Sequence, residues 1–156
     1  MVKSYSSILV PLDGSEYSKR ALDEAIEISK RLDSEIKLLT VVTAPAVSPT
    51  KIALSGVVHG KGATKAIDAY VKKALGEANG LMQECAAYCQ NKGVKASYKV
   101  TAENPAKAIL DYAKRSNSDI IVMGSQGLRG IKKIKVLGSV SRQILENASC
   151  PVMIVH

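Results

Sequence analysis

The chain contains no phenylalanine or tryptophan, and cysteine is scarce, with three among 156 residues. Without the two largest aromatic side chains, the core must be built from aliphatic residues, and six tyrosines supply the aromatic content. The sequence also lacks an apolar run near the ~20 residues of a membrane-spanning helix and a charged-then-apolar export signal. We therefore expect a cytoplasmic protein that does not enter a membrane.

The three cysteines do not follow the pattern of a metal site or a structural disulfide. Cys85 and Cys89 lie four positions apart, and Cys150 is distant from both along the chain. In a helix, this spacing places the first two thiols on one face with Leu81 and Met82, where other zinc ligands are lacking. Because a cysteine thiol packs as a small apolar group, we interpret them as core residues.

Acidic residues are fewer than basic ones, 14 against 22, which gives a formal net charge of +8. Most basic residues are mixed with acidic ones, as on a solvated helix face, and no nucleic-acid-binding signature is visible. Between Asp119 and Glu146, however, there are only basic charges, namely Arg129, Lys132, Lys133, Lys135 and Arg142. We expect this segment to attract a small anion at long range, and we expect no dedicated nucleic-acid role.

Short apolar stretches alternate along the chain with segments of helical periodicity. The expected strands are residues 8–12, 36–42, 94–100, 120–123 and 151–155. The expected helices begin after the N-cap Ser15, at about Lys65, after the N-cap Asn104 and at Ser139. This alternation predicts an α/β fold, in which a parallel sheet carries helices on both faces.

Three local features add detail to this prediction. Leu32 continues the apolar stripe of the first helix and is expected to be buried. Residues 44–64 have no clean period and are expected to form a long loop, of the kind that is usually functional or mobile. Gly76 and Gly80 are expected to bend the second helix or to let it pack closely against a neighbour.

A glycine-rich segment follows the fourth strand and leads into the last helix. Glycines let backbone N–H groups approach an anion, and a helix N-terminus adds a partial positive charge, so Gly124, Gly127 and Gly130 suggest a phosphate site. Asp13 and Val41 follow neighbouring strands at the same edge of the sheet, where such folds bind ligands. The sequence therefore predicts one cleft. From the residues alone, a plain turn at Asp13 and a tight glycine turn remain alternatives.

Five motifs occur in order along the chain. They are Val10-Pro11-Leu12-Asp13-Gly14-Ser15, Asn104-Pro105-Ala106, Val122-Met123-Gly124-Ser125-Gln126-Gly127, Leu137-Gly138-Ser139-Val140 and Cys150-Pro151-Val152-Met153-Ile154-Val155. Together they resemble the universal stress protein family. The resemblance covers residues 1–156 as a single domain. It implies a Rossmann-like open sheet in the order 3-2-1-4-5, a homodimer formed through the C-terminal strand, and a stress-response sensor or regulator.

The resemblance also implies an adenine nucleotide, either ATP, AMP or ADP, optionally with Mg²⁺. The nucleotide-binding branch of the family carries Gly-x2-Gly-x9-Gly-Ser/Thr. This chain matches that pattern at Gly124, Gly127, Gly138 and Ser139, but it has one more residue between the second and third glycines. It also has Glu103 where the family usually has glycine.

Residue by residue, the resemblance places the adenine against Pro11 and the backbone of Val41, and the ribose near Asp13 and Gly124. It places the phosphates at the backbone amides of Gly127, Leu128, Ser139 and Val140 and at the Ser139 hydroxyl. The complete expected binding set is Pro11, Leu12, Asp13, Val41, Met123, Gly124, Ser125, Gly127, Leu128, Gly138, Ser139 and Val140.

We expect neither catalytic nor metal-ligating residues. His59 has no second histidine or carboxylate cluster around it, and His156 is terminal, so no Ser-His-Asp set is visible. Two alternatives to a nucleotide-binding regulator stay open at this point. One is a slow Mg²⁺-dependent ATPase, and the other is a nucleotide-free interaction module of the same family.

Overall fold

The computed structural model describes residues 4–43, 61–128 and 136–156. Within these ranges the strands are β1 (Ser7–Pro11), β2 (Glu35–Val42), β3 (Ala96–Ala102), β4 (Ile120–Gly124) and β5 (Val152–Val155). The helices are α1 (Glu16–Leu32), α2 (Lys61–Asn91), α3 (Pro105–Arg115) and α4 (Ser139–Asn147). The expected succession of elements is confirmed, with boundaries that differ by a few residues.

All strand pairs are parallel, and the strand order is β3-β2-β1-β4-β5. The order implied by the family resemblance is therefore confirmed. Successive residues of β1 point to opposite faces of the sheet. Ile8 and Val10 pack with Ala21 of α1 and Met82 of α2, whereas Leu9 belongs to the other core cluster. That second cluster includes Ile109 of α3 and Ile144 of α4, so helices cover both faces.

The starts of α1 and α3 are fixed by the side-chain caps that the sequence predicts. The Ser15 hydroxyl accepts a hydrogen bond from the Ser18 N–H at 3.1 Å, and the Asn104 side chain accepts one from the Lys107 N–H at 3.0 Å. Both caps satisfy backbone donors that a helix start leaves without partners. Because α1 follows β1 and α3 follows β3, both helix starts lie at the carboxyl edge of the sheet.

The structure corrects three expectations. Leu32 is 46% exposed, because α1 ends there and the left-handed Asp33 turns the chain away. Gly76 and Gly80 do not mark a close contact, since a Cβ at either position would meet nothing within 4 Å, and a bend of α2 at these glycines stays a prediction. The loop expected over residues 44–64 ends earlier, because α2 begins at Lys61; residues 44–60 lie outside the described ranges.

The cysteines of α2 are core residues, as the sequence predicts. Cys89 is fully buried and Cys85 is partly buried, and both pack in the same cluster. Burial raises the pKa of the Cys89 thiol to about 11, so this side chain is neutral and a poor nucleophile at physiological pH. In the described part of the chain, no group of three or more His, Cys, Asp or Glu residues is arranged to hold a metal ion. Nor does any helix there have the length and apolar character needed to span a bilayer.

Candidate functional site

A cavity of about 700 Å³ lies at the carboxyl ends of β1, β2 and β4. Its volume is within the range of roughly 300–1,000 Å³ found for small-molecule sites. The strand order reverses at β1, where β2 lies on one side and β4 on the other. This is the place where open parallel sheets bind ligands, because the connecting loops diverge and leave a crevice.

The structure brings together nearly all the residues that the sequence analysis assigned to one cleft. The lining includes Pro11, Leu12, Asp13, Val41, Met123, Gly124, Gly127, Leu128, Gly138, Ser139 and Val140. Ser125 is absent from this lining and is only 1% exposed. Its N–H donates to the Val155 carbonyl at 2.8 Å, and its carbonyl accepts from the Gly138 N–H at 2.8 Å. Ser125 therefore joins β5 to the start of α4 behind the cavity.

Hydrogen bonds between β1 and β2 shape one wall of the cavity. The Leu12 N–H donates to the Leu39 carbonyl at 2.8 Å, and the buried Thr40 hydroxyl donates back to the Leu12 carbonyl. These bonds hold the end of β1 against β2, so that Pro11 and Val41 face the same space. Together with Ile109 and Met123, they form an apolar surface suited to a flat ring.

Gly124 is a glycine because the end of β4 touches the first turn of α1. A Cβ at this position would lie 2.7 Å from the backbone carbon of Tyr17 and 2.9 Å from the nitrogen of Ser18. Neither atom can move without shifting the helix. A left-handed backbone plays no part, since Gly124 is not among the described residues with positive φ. The close approach of α1 is therefore sufficient by itself to require glycine at this position.

Gly127 has a different neighbour, the carboxylate of Asp13. A Cβ on Gly127 would lie 2.7 Å from Asp13 Oδ2. The same oxygen accepts a hydrogen bond from the Leu128 N–H at 3.2 Å, and Asp13 Oδ1 accepts one from the Ser15 N–H at 2.9 Å. The Asp13 carboxylate thus bridges the turn after β1 and the glycine-rich segment after β4. A side chain at position 127 would have to displace the carboxylate from this position.

The two described ends of the glycine-rich segment are held close together. The Ser125–Gly138 backbone bond closes its base, and the Gln126 side chain donates to the Val136 carbonyl at 2.8 Å. The Ser141 hydroxyl of α4 also donates to the Gly124 carbonyl at 3.0 Å. The additional residue relative to the family pattern therefore does not separate Gly127 from the start of α4. Residues 129–135, with the basic cluster at 129, 132, 133 and 135, lie outside the described ranges.

The start of α4 differs from the starts of α1 and α3 because no side chain among the described residues caps it. Its N-cap is Gly138, and no side-chain hydrogen bond is made there. Ser139 and Val140, the first residues of the helix, line the cavity. The backbone donors of a helix start have no partners inside the helix, and the helix dipole favours negative charge at this end. This end of the cavity is therefore suited to an anion.

Helix α2 forms a wall that the sequence analysis missed. The residues that it contributes are Ala74, Glu77, Ala78 and Leu81. Their spacing of three and four positions places them on one face of the helix. A helix of 31 residues is about 46 Å long, whereas the seven residues of β3 span about 23 Å. The signal in the sequence was the apolar stripe of Ala74, Ala78 and Leu81, which continues along α2 beyond the length needed to cover the sheet.

The charged side chains of the described lining are both acidic, Asp13 and Glu77. Glu77 lies 3.9 Å from Lys73, and both side chains are largely exposed. Glu103, the second departure from the family pattern, is not part of the lining; its carboxylate accepts a hydrogen bond from the Thr101 hydroxyl at 2.8 Å. No basic side chain belongs to the described lining, so the groups there that would attract an anion are the backbone amides and the α4 dipole.

Comparison with known proteins identifies relatives over the full length. The sequence pattern of the family described as the universal stress protein family matches residues 4–156. Universal stress protein YxiE of Bacillus subtilis is 32% identical over 152 residues, covering 97% of this chain and 99% of the relative. Universal stress protein MJ0531 of Methanocaldococcus jannaschii is 33% identical over 151 residues, covering 97% of this chain and 82% of the relative.

Solved structures show the same fold, and several contain adenine nucleotides. Hypothetical protein MJ0577 matches with a TM-score of 0.79 at 25% identity, covering 98% of this chain and 96% of its own. A universal stress protein in complex with cAMP matches at 0.63 and 22% identity, covering 99% and 98%. An Arabidopsis thaliana family protein with AMP bound matches at 0.59 and 22% identity, covering 96% and 90%. At these lower identities the likeness shows the fold alone.

Proposed function

The chain belongs to the universal stress protein family, and from this we propose that its cavity binds an adenine nucleotide and that the protein acts as a stress-response sensor or regulator. The observation that carries the proposal is the start of α4, which has no side-chain cap and opens into the cavity. An anionic group there would accept hydrogen bonds from backbone donors that otherwise lack partners in the helix.

The remaining lining matches the other parts of a nucleotide. The apolar surface around Pro11, Val41 and Met123 suits a purine ring, and the Asp13 carboxylate can accept hydrogen bonds from ribose hydroxyls. The complexes of family proteins with cAMP and AMP support an adenine ligand over other anions. We propose ATP, ADP or AMP as the ligand.

A Mg²⁺ ion fits the proposal as a companion of the phosphates. Mg²⁺ is usually bound by one or two carboxylates together with phosphate oxygens. Asp13 lies beside the glycine-rich segment and is the carboxylate placed to share such an ion. The ion would neutralise phosphate charge; the chain itself would supply orientation through its backbone amides.

The proposal is tested by the nucleotide content of the purified protein. We expect denaturation to release an adenine nucleotide that mass spectrometry identifies, and we expect calorimetry of the emptied protein to detect ATP or AMP but not GTP. A protein that releases no nucleotide and gives no heat with any adenine nucleotide would instead be an interaction module. Steady turnover of added ATP that is lost in Asp13→Ala would show the ATPase alternative.

We also propose a homodimer formed by antiparallel pairing of two β5 strands. The two edges of the sheet differ in chemistry. The β3 edge carries Lys99, and such an edge lysine opposes pairing with another strand. The β5 edge is Val-Met-Ile-Val, without charge, and Met153 is 39% exposed. A two-fold contact would satisfy both free backbone edges at once.

The backbone directions of β5 identify the substitution that tests this contact. The carbonyls of Pro151 and Val155 accept hydrogen bonds from Ile121 and Ser125, so alternate residues of β5 face β4. By this alternation, the N–H of Met153 faces β4 and the N–H of Ile154 faces outward. Proline at 154 removes an edge donor, whereas proline at 153 breaks the sheet.

We expect Ile154→Pro to shift the protein from dimer to monomer in sedimentation experiments while it keeps its circular dichroism spectrum. Met153→Lys, which places a charge on the edge without removing a backbone donor, should have the same effect. Met153→Pro is the contrasting variant and should lower thermal stability. A monomeric wild type at micromolar concentration, or dimers that persist in Ile154→Pro and Met153→Lys, would show that β5 is not the interface.

A further inference from the structure

We propose that Asp13 determines specificity by making the site select phosphate groups that are attached to a sugar over free oligophosphates such as tripolyphosphate. The inference rests on the proposed nucleotide site and deepens it. It starts from the bridge across the cavity, in which Asp13 Oδ2 accepts a hydrogen bond from the Leu128 N–H at 3.2 Å. That N–H is one of the donors that a phosphate would use.

The bridge makes the carboxylate an internal anion at the glycine-rich segment. Its second oxygen is held by the Ser15 N–H at 2.9 Å, so the group is anchored to the turn after β1. On the other side, the missing side chain of Gly127 leaves just enough room for Oδ2. The Asp13 carboxylate therefore accepts a hydrogen bond from the Leu128 N–H, which a phosphate would otherwise use, and it places a negative charge beside that N–H.

A free oligophosphate entering this space meets two obstacles. It must compete with Asp13 for the Leu128 N–H, and its charge is repelled by the carboxylate and by Glu77, the other acid of the described lining. Two like charges about 4 Å apart in a water-exposed site reduce affinity about fivefold. Within the described lining, the two acidic side chains thus disfavour bare anions beside the backbone donors that would bind them.

A nucleotide compensates for the same obstacle because it brings hydroxyl donors. Ribose hydroxyls can donate to Asp13, which then keeps its hydrogen bonds when it releases Leu128. Hydrogen bonds to a charged acceptor are stronger than neutral ones. The Asp13 carboxylate consequently lowers the affinity for a free oligophosphate, but it favours a nucleotide whose ribose donates hydrogen bonds to it.

The test compares the binding of ATP and tripolyphosphate, measured by calorimetry without Mg²⁺, in the full-length wild type, Asp13→Asn and Asp33→Asn. Asparagine at 13 keeps an oxygen for the Ser15 N–H but replaces the other oxygen with a donor group, so Leu128 loses its acceptor. Asp33→Asn is the control, because this substitution removes the same charge at the opposite edge of the sheet. Its left-handed backbone (φ 51°) also tolerates asparagine.

Relative to Asp33→Asn, we expect Asp13→Asn to bind tripolyphosphate about fivefold more tightly, because the like charge is gone. ATP should bind about tenfold more weakly, because the ribose loses a charged acceptor. Unchanged, weaker or undetectable tripolyphosphate binding by a folded Asp13→Asn variant would overturn the inference. Failure of ATP to bind the wild type would overturn the proposed function and the preference for a sugar-linked phosphate, while a gain of tripolyphosphate binding in Asp13→Asn would still show that Asp13 excludes free oligophosphate.

Discussion

Replacing Gly124 by alanine is expected to lower the free energy of unfolding by about 3 kcal/mol, as overpacked core positions do. The added methyl would lie 2.7 Å from both the backbone carbon and the Cβ of Tyr17. These atoms belong to the first turn of α1, which the Ser15 cap holds in place. The clash can be relieved only by moving α1 away from β4, which would open the core that the two elements share.

Chemical denaturation of Gly124→Ala measures this effect, and Gly80→Ala is the matched control. At position 80 the same methyl meets nothing within 4 Å and lies inside α2, so it should raise stability by about 0.5–1 kcal/mol through helix propensity. Opposite signs for the two variants would confirm the packing argument. A loss below about 0.5 kcal/mol in Gly124→Ala would place it among ordinary surface substitutions and contradict the close contact.

Replacing Gly127 by valine is expected to weaken ATP binding by more than about tenfold, or about 1.4 kcal/mol, while the fold persists. The Cβ would lie 2.7 Å from Asp13 Oδ2, which is the end of a side chain and can move. Displacing the carboxylate relieves the clash, so stability changes little. The displaced group then no longer sits where the ribose is proposed to bind, and the valine side chain obstructs the approach of phosphates.

Calorimetry with ATP and thermal melting together separate the two consequences. Gly80→Val adds the same side chain where no atom lies within 4 Å and should leave ATP affinity unchanged. If Gly127→Val binds ATP as tightly as Gly80→Val does, the glycine-rich segment is not part of the ligand site. If Gly127→Val instead unfolds, the contact between Asp13 and the glycine-rich segment is needed for folding.

The sequence was sufficient to predict the fold and the edge at which the cavity lies. Alternating apolar and amphipathic segments admit few arrangements other than a parallel sheet with helices on both faces, because each apolar face must be covered. In such a sheet, all strands end at one edge, so Asp13, Val41 and Gly124 had to converge there. Local chemistry also sufficed for the caps at Ser15 and Asn104, which act within three residues.

The reason for each glycine was beyond the sequence. The pattern predicts an anion loop at Gly124 and Gly127 alike, yet one glycine accommodates the backbone of α1 and the other accommodates a carboxylate. The sequence shows that a glycine lacks a side chain, but it does not show which atoms lie where that side chain would be. Those atoms are determined by the packing of β4 against α1 at Gly124, and by the contact between the turn after β1 and the glycine-rich segment at Gly127.

The wall formed by α2 and the position of Ser125 depend on tertiary structure for the same reason. Helical periodicity indicates which face of α2 is apolar, but the height at which the helix crosses the sheet determines which part of that face reaches the cavity. Ser125 belongs to the expected motif, yet its bonds to Val155 and Gly138 turn it away from the cavity. Periodicity and motif are local properties and were available from the order of residues. Contacts between segments more than 100 positions apart, such as Asp13 with Leu128, arise only when the sheet is assembled.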